Sequence, residues 1–131
     1  MVGPLKAHLE SDPRVAYALL FGSAARGATA TESDIDIAVG LASGVRLTVR
    51  EIGEMLSRLE SVSVRPVDLV LVDEAPPALA YRVFRDGRVL CLRDRPAFVR
   101  AKARAILEYL DFKPIQDLCV RGALKAAARG R

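Results

Sequence analysis

The sequence has few of the residues from which several common kinds of site are built. It contains two cysteines, Cys91 and Cys119, and one histidine, His8. The cysteines lie in different segments without Cys-x-x-Cys spacing, so we expect reduced, buried thiols rather than a disulfide framework or a zinc site. The position of His8 in the first predicted helix favours a surface histidine. Neither a Ser/His/Asp triad nor a dinucleotide-binding motif is present.

Long apolar runs are also missing. No run approaches the roughly 20 residues that a membrane helix requires, and the N-terminal segment lacks the apolar stretch of a signal peptide. We therefore expect a cytoplasmic protein. The 51% hydrophobic and 27% charged content predicts a folded globule, and 131 residues predict a single domain, 1–131.

The excess of basic residues is modest and dispersed. The net charge is +4, with 20 Lys and Arg against 16 Asp and Glu. Because these residues are mostly spread along the chain, a solvated surface is favoured over a nucleic-acid site.

Apolar periodicity predicts alternating helices and strands, an α/β fold class. The predicted helices are Pro4–Glu10, Thr48–Glu60, Pro76–Asp86 and Arg95–Leu110, and the predicted strands are Val15–Phe21, Asp34–Val39, part of Val62–Val72, and Arg88–Leu92. Gly87 is expected to end the third helix. From about 111 to 131 we expect a helical or frayed C-terminal extension. The three tyrosines, Tyr17, Tyr81 and Tyr109, lie on apolar faces and are expected in the core.

Two short motifs carry the chemistry. Gly22-Ser23 follows the first predicted strand, and Asp34-Ile35-Asp36 opens the second. A glycine and a small hydroxyl residue at a helix start allow backbone N–H groups to approach a phosphate. Carboxylates at i and i+2 of a strand project from one face, so Asp34 and Asp36 can share Mg²⁺ ions while Ile35 points into the core. The spacing indicates metal-assisted nucleotidyl transfer.

A third carboxylate, Asp68, begins the next apolar run. Two-ion sites usually use such a third ligand, and Asp68 is favoured for that role over a strand residue that faces water. Gly-Ser alone occurs in ordinary turns, and Asp-x-Asp alone occurs at solvated strand edges. When the two motifs occur in this order and after a strand, they are specific evidence for a nucleotidyl-transfer site.

Together, Phe21 to Gly27 and Ser33 to Val39 resemble the signature of the polymerase-beta-type nucleotidyltransferases. More closely, the chain is similar to the minimal nucleotidyltransferases (MNT), which are encoded beside HEPN partners, as in the MntA-type antitoxins. The resemblance covers roughly Val15 to Leu110. It implies a small mixed β-sheet flanked by helices, with ATP as the substrate and two Mg²⁺ ions.

The resemblance also implies roles for individual residues. Gly22 and Ser23 would hold the triphosphate, and Asp34 and Asp36 would be shared metal ligands. Asp68 would complete the metal nearest the attacking hydroxyl and help to deprotonate that hydroxyl. For Arg26, contact with the phosphates and ion pairing with Glu32 or Asp34 are equally favoured.

The resemblance implies a protein acceptor as well. Larger superfamily members carry an extra acceptor-binding domain, for which this chain has no apparent room, so we expect a partner to supply the acceptor. The first hypothesis is an antitoxin that transfers AMP to a tyrosine hydroxyl of a HEPN ribonuclease toxin. One alternative is an antitoxin that binds nucleotide but acts by steric contact. Another is transfer to a small molecule or an RNA end, for which the positive charge is mild support.

Overall fold

A computed structural model describes residues 2–22 and 34–111 of the chain. The elements are α1 (Val2–Glu10), β1 (Val15–Phe21), β2 (Ile35–Leu41), α2 (Val49–Ser63), β3 (Val67–Leu71), a 3₁₀ turn (Val72–Glu74), α3 (Pro77–Asp86) and β4 (Arg88–Leu92). Helix α4 follows over 95–111. Of the expected features, Ser23, Arg26, Cys119 and the C-terminal extension beyond residue 111 lie outside the described residues.

The four strands form one mixed sheet in the order β3-β2-β1-β4. Strand β1 is antiparallel to both β2 and β4, whereas β2 and β3 are parallel. All seven residues of β1 are buried, as its continuous apolar run predicts for a central strand covered on both faces. The predicted α/β class, with a small mixed sheet flanked by helices, is confirmed.

Helices cover both faces of the sheet. On one face, α1 and α2 contribute Leu5, Leu9, Met55 and Leu59 to a cluster with Ile35, Ile37 and Val39 of β2. On the other face, α3 and α4 contribute Val83, Phe84, Ala101 and Ala105 to a cluster with Tyr17 and Leu19. Tyr17 is buried, as expected. Its ring lies over Gly40 of β2, where a Cβ atom would overlap the ring.

The sequence around helix α2 contains clear signals for the start of the helix but none for its end. Thr48 and Glu51 form a reciprocal capping box: the Thr48 hydroxyl accepts from the Glu51 N–H, and the Glu51 carboxylate accepts from the Thr48 N–H. The helix continues to Ser63, past the expected end at Glu60, and stops where Val64 adopts a left-handed φ of 58°. A valine gives no sequence signal for that conformation, which usually selects Gly or Asn.

Gly87 ends α3 as expected, but for a steric reason. Its φ is −74°, an ordinary value, and its N–H donates to the Val83 carbonyl. A Cβ at Gly87 would overlap that carbonyl oxygen and lie 3.1 Å from Leu19 Cδ2. Glycine therefore lets the chain turn tightly from α3 into β4.

The tyrosine and cysteine expectations had mixed outcomes. Cys91 is free and buried, as expected. The expectation that Tyr81 and Tyr109 belong to the core is wrong, because both are only half-buried. Tyr81 follows the buried Ala80 on α3, so its side chain points away from the sheet-facing stripe of that helix.

Among the described residues, no helix combines the length and apolarity needed to span a bilayer.

Candidate active site

Three neighbouring strands bring Gly22, Asp36 and Asp68 together. Gly22 directly follows Phe21, the last residue of β1, and Phe21 pairs with Asp36 of β2. Asp36 in turn pairs with Asp68 of β3. Paired residues on adjacent strands point to the same face of a sheet. Asp36 and Asp68 therefore lie side by side on that face, and Gly22 completes the row because its backbone lies against the Asp36 carboxylate.

The expected division of β2 into two faces is confirmed. Ile35 and Ile37 are fully buried in the cluster under α1 and α2. Asp36, between them, points to the opposite face and is half-buried. Asp34 immediately precedes β2 and is exposed. The alternation thus supplies an apolar side that anchors the strand and a carboxylate side that is open to a ligand.

Gly22 packs its backbone directly against the Asp36 carboxylate. Its φ is +71°, a left-handed conformation that side chains disfavour. A Cβ built on Gly22 would overlap Asp36 Oδ2 and lie 3.1 Å from Asp36 Cγ. Both the conformation and the space require glycine. The turn after β1 and the Asp-x-Asp strand are thus directly joined at this contact.

The carboxylates generate a strongly negative local potential. Burial raises the pKa of Asp36, and the nearby charges of Asp68 and Asp34 raise it further. Arg82 of α3 acts in the opposite direction. A carboxylate with these neighbours is stabilised by a cation.

A cavity of about 410 Å³ opens in front of this row. The sheet contributes Phe21, Asp36, Asp68 and Val70, the residue after β1 contributes Gly22, and α3 contributes Leu79, Arg82, Arg85 and Asp86. Such a volume lies within the range of about 300–1,000 Å³ that is common for small-molecule sites. The cavity combines carboxylates, which suit a cation, with the guanidinium groups of Arg82 and Arg85.

The arginines of α3 are the site residues that sequence reasoning missed. Arg82 and Arg85 occur on a predicted amphipathic helix, where a solvated polar face is the ordinary interpretation. Their three-residue spacing places them on one side of the helix. That signal was available, but only the crossing of α3 over the sheet shows that this side borders the carboxylates.

Oxygen ligands of the kind Mg²⁺ prefers are present at the site. Asp36 and Asp68 share a face on paired strand positions, and burial together with the charges of Asp68 and Asp34 raises the pKa of Asp36, so the two carboxylates fit a divalent cation. Within residues 2–22 and 34–111, however, no group of three or more His, Cys, Asp or Glu side chains is arranged to hold a metal. A metal site built from all three carboxylates, Asp34, Asp36 and Asp68, stays a prediction. The roles of Ser23 and Arg26 also stay predictions.

The family comparison decides the identity of the fold. Residues 4–96 match the family model described as Polymerase beta, Nucleotidyltransferase. The chain belongs to this nucleotidyltransferase family. The match includes Gly22, Asp34, Asp36 and Asp68, so the row of residues described above lies within the family domain. None of the curated proteins matches the sequence of this nucleotidyltransferase.

Solved structures with the same fold include several toxin–antitoxin complexes. A chain in a toxin–antitoxin structure with AMP-PNP has a TM-score of 0.80 and 23% identity, over 94% of this chain and 98% of that one. A chain in an MntA-HepT toxin–antitoxin structure has a TM-score of 0.72 and 23% identity, over 90% and 92%. The third is a complex of tri-AMPylated Shewanella oneidensis HEPN toxin with MNT antitoxin, at a TM-score of 0.74 and 21% identity, over 95% and 99%. These likenesses establish the fold of the nucleotidyltransferase.

Proposed function

We propose that this nucleotidyltransferase is an antitoxin that transfers AMP from ATP to a tyrosine hydroxyl of a HEPN ribonuclease toxin. The observation that carries the proposal is the row of Gly22, Asp36 and Asp68, in which Asp36 and Asp68 are paired across two strands and Gly22 lies against Asp36, beside a cavity that also contains arginines. The row combines backbone access to a phosphate with carboxylates for a metal, and these are the two requirements of nucleotidyl transfer.

The resemblance assigns a role to each residue of the site. Gly22 lets the backbone approach the phosphates, and Ser23 hydrogen-bonds a phosphate oxygen. Asp34, Asp36 and Asp68 hold two Mg²⁺ ions. When bound, these ions neutralise charge on the phosphates and lower the pKa of the attacking hydroxyl. Arg26 either contacts the phosphates or ion-pairs with Glu32 or Asp34 to hold the loop.

The reaction forms one phosphorus–oxygen bond and breaks another. The acceptor oxygen attacks the α-phosphorus of ATP, and the bond from that phosphorus to the oxygen bridging to the β-phosphate breaks. Pyrophosphate leaves with the electron pair of that bond. Asp68, exposed at the mouth of the cavity, accepts the hydroxyl proton. The product is an AMP ester of the acceptor tyrosine.

The solved structures support the choice of acceptor. The relatives are complexes of antitoxins with toxins, and in the Shewanella oneidensis complex the HEPN toxin itself is tri-AMPylated. Another relative was crystallised with AMP-PNP, an ATP analogue. A protein acceptor and an adenine nucleotide are therefore the first pair to test for this chain.

The direct experiment combines the purified chain with the HEPN protein encoded by the adjacent reading frame. With ATP and Mg²⁺, the intact mass of the partner should increase by one or more AMP groups. The same mixture with Asp34→Asn/Asp36→Asn should leave the partner mass unchanged. Arg50→Gln, an exposed substitution on α2 and thus on the opposite face of the sheet, is the matched control and should retain transfer. Unmodified partner with the wild-type chain would contradict the proposal.

A second candidate is an antitoxin that binds the toxin without catalysis. The absence of a group of three metal-binding side chains among the described residues favours it. This candidate expects Asp34→Asn/Asp36→Asn to protect cells from the toxin as well as the wild-type chain does. The catalytic proposal expects that protection to be lost while the variant protein remains folded and abundant.

A further inference from the structure

A second groove lies directly beside the catalytic cavity. It has a volume of about 380 Å³ and runs between the outer side of α3 and the end of α4. Its most distinctive feature is the pair Tyr81 and Tyr109, whose rings stack with centroids 4.2 Å apart and planes 12° from parallel. Both tyrosines are half-buried. The groove therefore has a stacked, partly exposed aromatic pair in its wall.

The groove and the catalytic cavity share a wall. Leu79, Arg82 and Arg85 line both spaces. These three residues come from one side of α3, so their side chains form a ridge between the two spaces. A molecule held in the groove would meet Asp36 and Asp68 by reaching across that ridge.

The polar groups of the groove differ in their availability. Arg85 is committed, because its Nε and Nη2 donate to the two Asp86 carboxylate oxygens at 2.9 Å and its guanidinium lies 5.6 Å from the Tyr81 ring centroid. Arg82 has neither a hydrogen bond nor an ion pair with any residue in the described part of the chain. The Tyr81 and Tyr109 hydroxyls likewise have no hydrogen-bond partner within 2–22 and 34–111. The groove thus offers two hydroxyl groups and the guanidinium of Arg82, whose charge acts on Asp36 but which has no ion-pair partner among the described residues.

These features favour a protein segment over the base of a nucleotide. Each tyrosine uses one ring face for the other, and Arg85 lies over the Tyr81 ring, so the pair has little free face on which a base could stack. The catalytic cavity is by itself large enough for a nucleotide-sized ligand. Tyrosine and arginine are also the side chains most often found as energetic anchors of protein interfaces.

We propose that the Tyr81–Tyr109 groove docks the acceptor segment of the partner protein, and that this segment is acidic. Its carboxylates pair with Arg82, and its backbone accepts hydrogen bonds from the two tyrosine hydroxyls. The acceptor hydroxyl then crosses the ridge into the catalytic cavity. This inference rests on the proposed function for the identity of the partner, but it concerns binding and not the chemical step.

The test measures partner affinity and nucleotide affinity separately, without ATP, so that no transfer takes place. Tyr81→Ala/Tyr109→Ala should weaken binding of the HEPN partner about 30-fold or more, as expected for loss of interface anchors. Affinity for an ATP analogue that cannot be cleaved between the α- and β-phosphates should stay within about twofold. Partner affinity of the wild-type chain should fall as salt is raised, because an ion pair at Arg82 is screened.

Two further variants separate docking from loss of folding. Tyr109→Ala alone removes one half-buried anchor near the end of α4 and should still weaken partner binding several-fold. Leu107→Ala, 62% exposed on the same helix but outside the groove, should leave partner affinity unchanged. Unchanged partner affinity in the double variant would overturn the proposal, and so would loss of analogue binding with partner binding intact. A wild-type chain that binds the partner through this groove yet adds no AMP would overturn the proposed function and leave the docking site supported.

Discussion

Gly22 and Asp36 are so close that only a hydrogen atom fits on the Gly22 Cα between them. A Cβ at Gly22 would overlap the Asp36 carboxylate, and the φ of +71° independently disfavours a side chain there. The two halves of the motif, which are distant in the sequence, are therefore one structural unit. The position of the carboxylate and the path of the turn after β1 cannot vary independently.

Gly22→Ala should abolish most of the AMP transfer. The methyl group would displace the Asp36 carboxylate, and a misplacement of about 1 Å can cost about 100-fold in rate. Left-handed backbone should add about 1–2 kcal/mol of destabilisation. Gly44→Ala is the matched control, because Gly44 also has a positive φ, +80°, but nothing within 4 Å of its Cβ position. Urea unfolding and transfer assays on both variants check this. Equal loss of transfer in the two would show that backbone strain, and not the contact with Asp36, is responsible.

Removal of the Asp36 charge should stabilise the metal-free protein. Because burial, Asp68 and Asp34 raise the Asp36 pKa in the folded state, the ionised carboxylate lowers stability above that pKa. Asp36→Asn should therefore have a higher Tm than the wild-type chain in EDTA at pH 7.

Mg²⁺ should reverse that order. With an uncleavable ATP analogue present, Mg²⁺ at about 100 times its Kd should stabilise the wild-type chain by about 2.7 kcal/mol and Asp36→Asn by much less. Thermal melts with and without Mg²⁺ provide the measurement. An equal gain for both proteins would argue against Asp36 as a metal ligand.

Gly40→Ala should be strongly destabilising, because its methyl group would overlap the buried Tyr17 ring. Overpacking of this kind typically costs about 1–3 kcal/mol. Gly53→Ala is the control: Gly53 lies inside α2 with nothing within 4 Å of its Cβ position. That substitution should stabilise the protein by about 0.5–1 kcal/mol. If denaturant midpoints of the two variants moved in the same direction, the packing of Tyr17 on Gly40 would be in doubt.

The ion pair between Asp12 and Arg14 should make stability depend on pH at the acid end. Arg14 Nε and Nη2 donate to the two Asp12 oxygens at 3.0 and 2.8 Å, and this contact lowers the pKa of Asp12 below 3.8. Its stabilisation is therefore present above pH 3.8 and is lost as pH falls through the lower, folded-state pKa. Asp12→Asn should cost about 1 kcal/mol at pH 7. Urea titrations should show the difference from wild type shrinking as pH falls below 3.8, and a constant difference would refute the linkage.

The sequence predicts best those features that are local. The strand Val15–Phe21 has the bounds that its unbroken apolar run predicts, because only a strand covered on both faces needs such a run. Gly22, Asp34 and Asp36 are recognisable because their spacing reflects one turn and one strand face. The register that aligns Asp36 with Asp68 cannot be predicted from the sequence, because it depends on how β2 and β3, which are separated by α2, pair with each other.

The parts of the site that the sequence does not predict come from helix placement. Helical periodicity identifies Val83 and Phe84 as the buried side of α3, and this is what the structure has. It does not say that Arg82 and Arg85 border a row of carboxylates, because that depends on where α3 crosses the sheet. For the same reason Tyr81 and Tyr109, distant in the sequence, were expected in the core and instead stack at the surface.

The most direct test of the central claim follows the α-phosphate of ATP. The chain and its HEPN partner are incubated with Mg²⁺ and ATP labelled either at the α- or at the γ-phosphate. We predict that the α-label appears on a partner tyrosine, that the γ-label is released as pyrophosphate, and that Asp34→Asn/Asp36→Asn transfers neither. Transfer of the γ-label, or an unlabelled partner with both substrates, would contradict nucleotidyl transfer to the toxin.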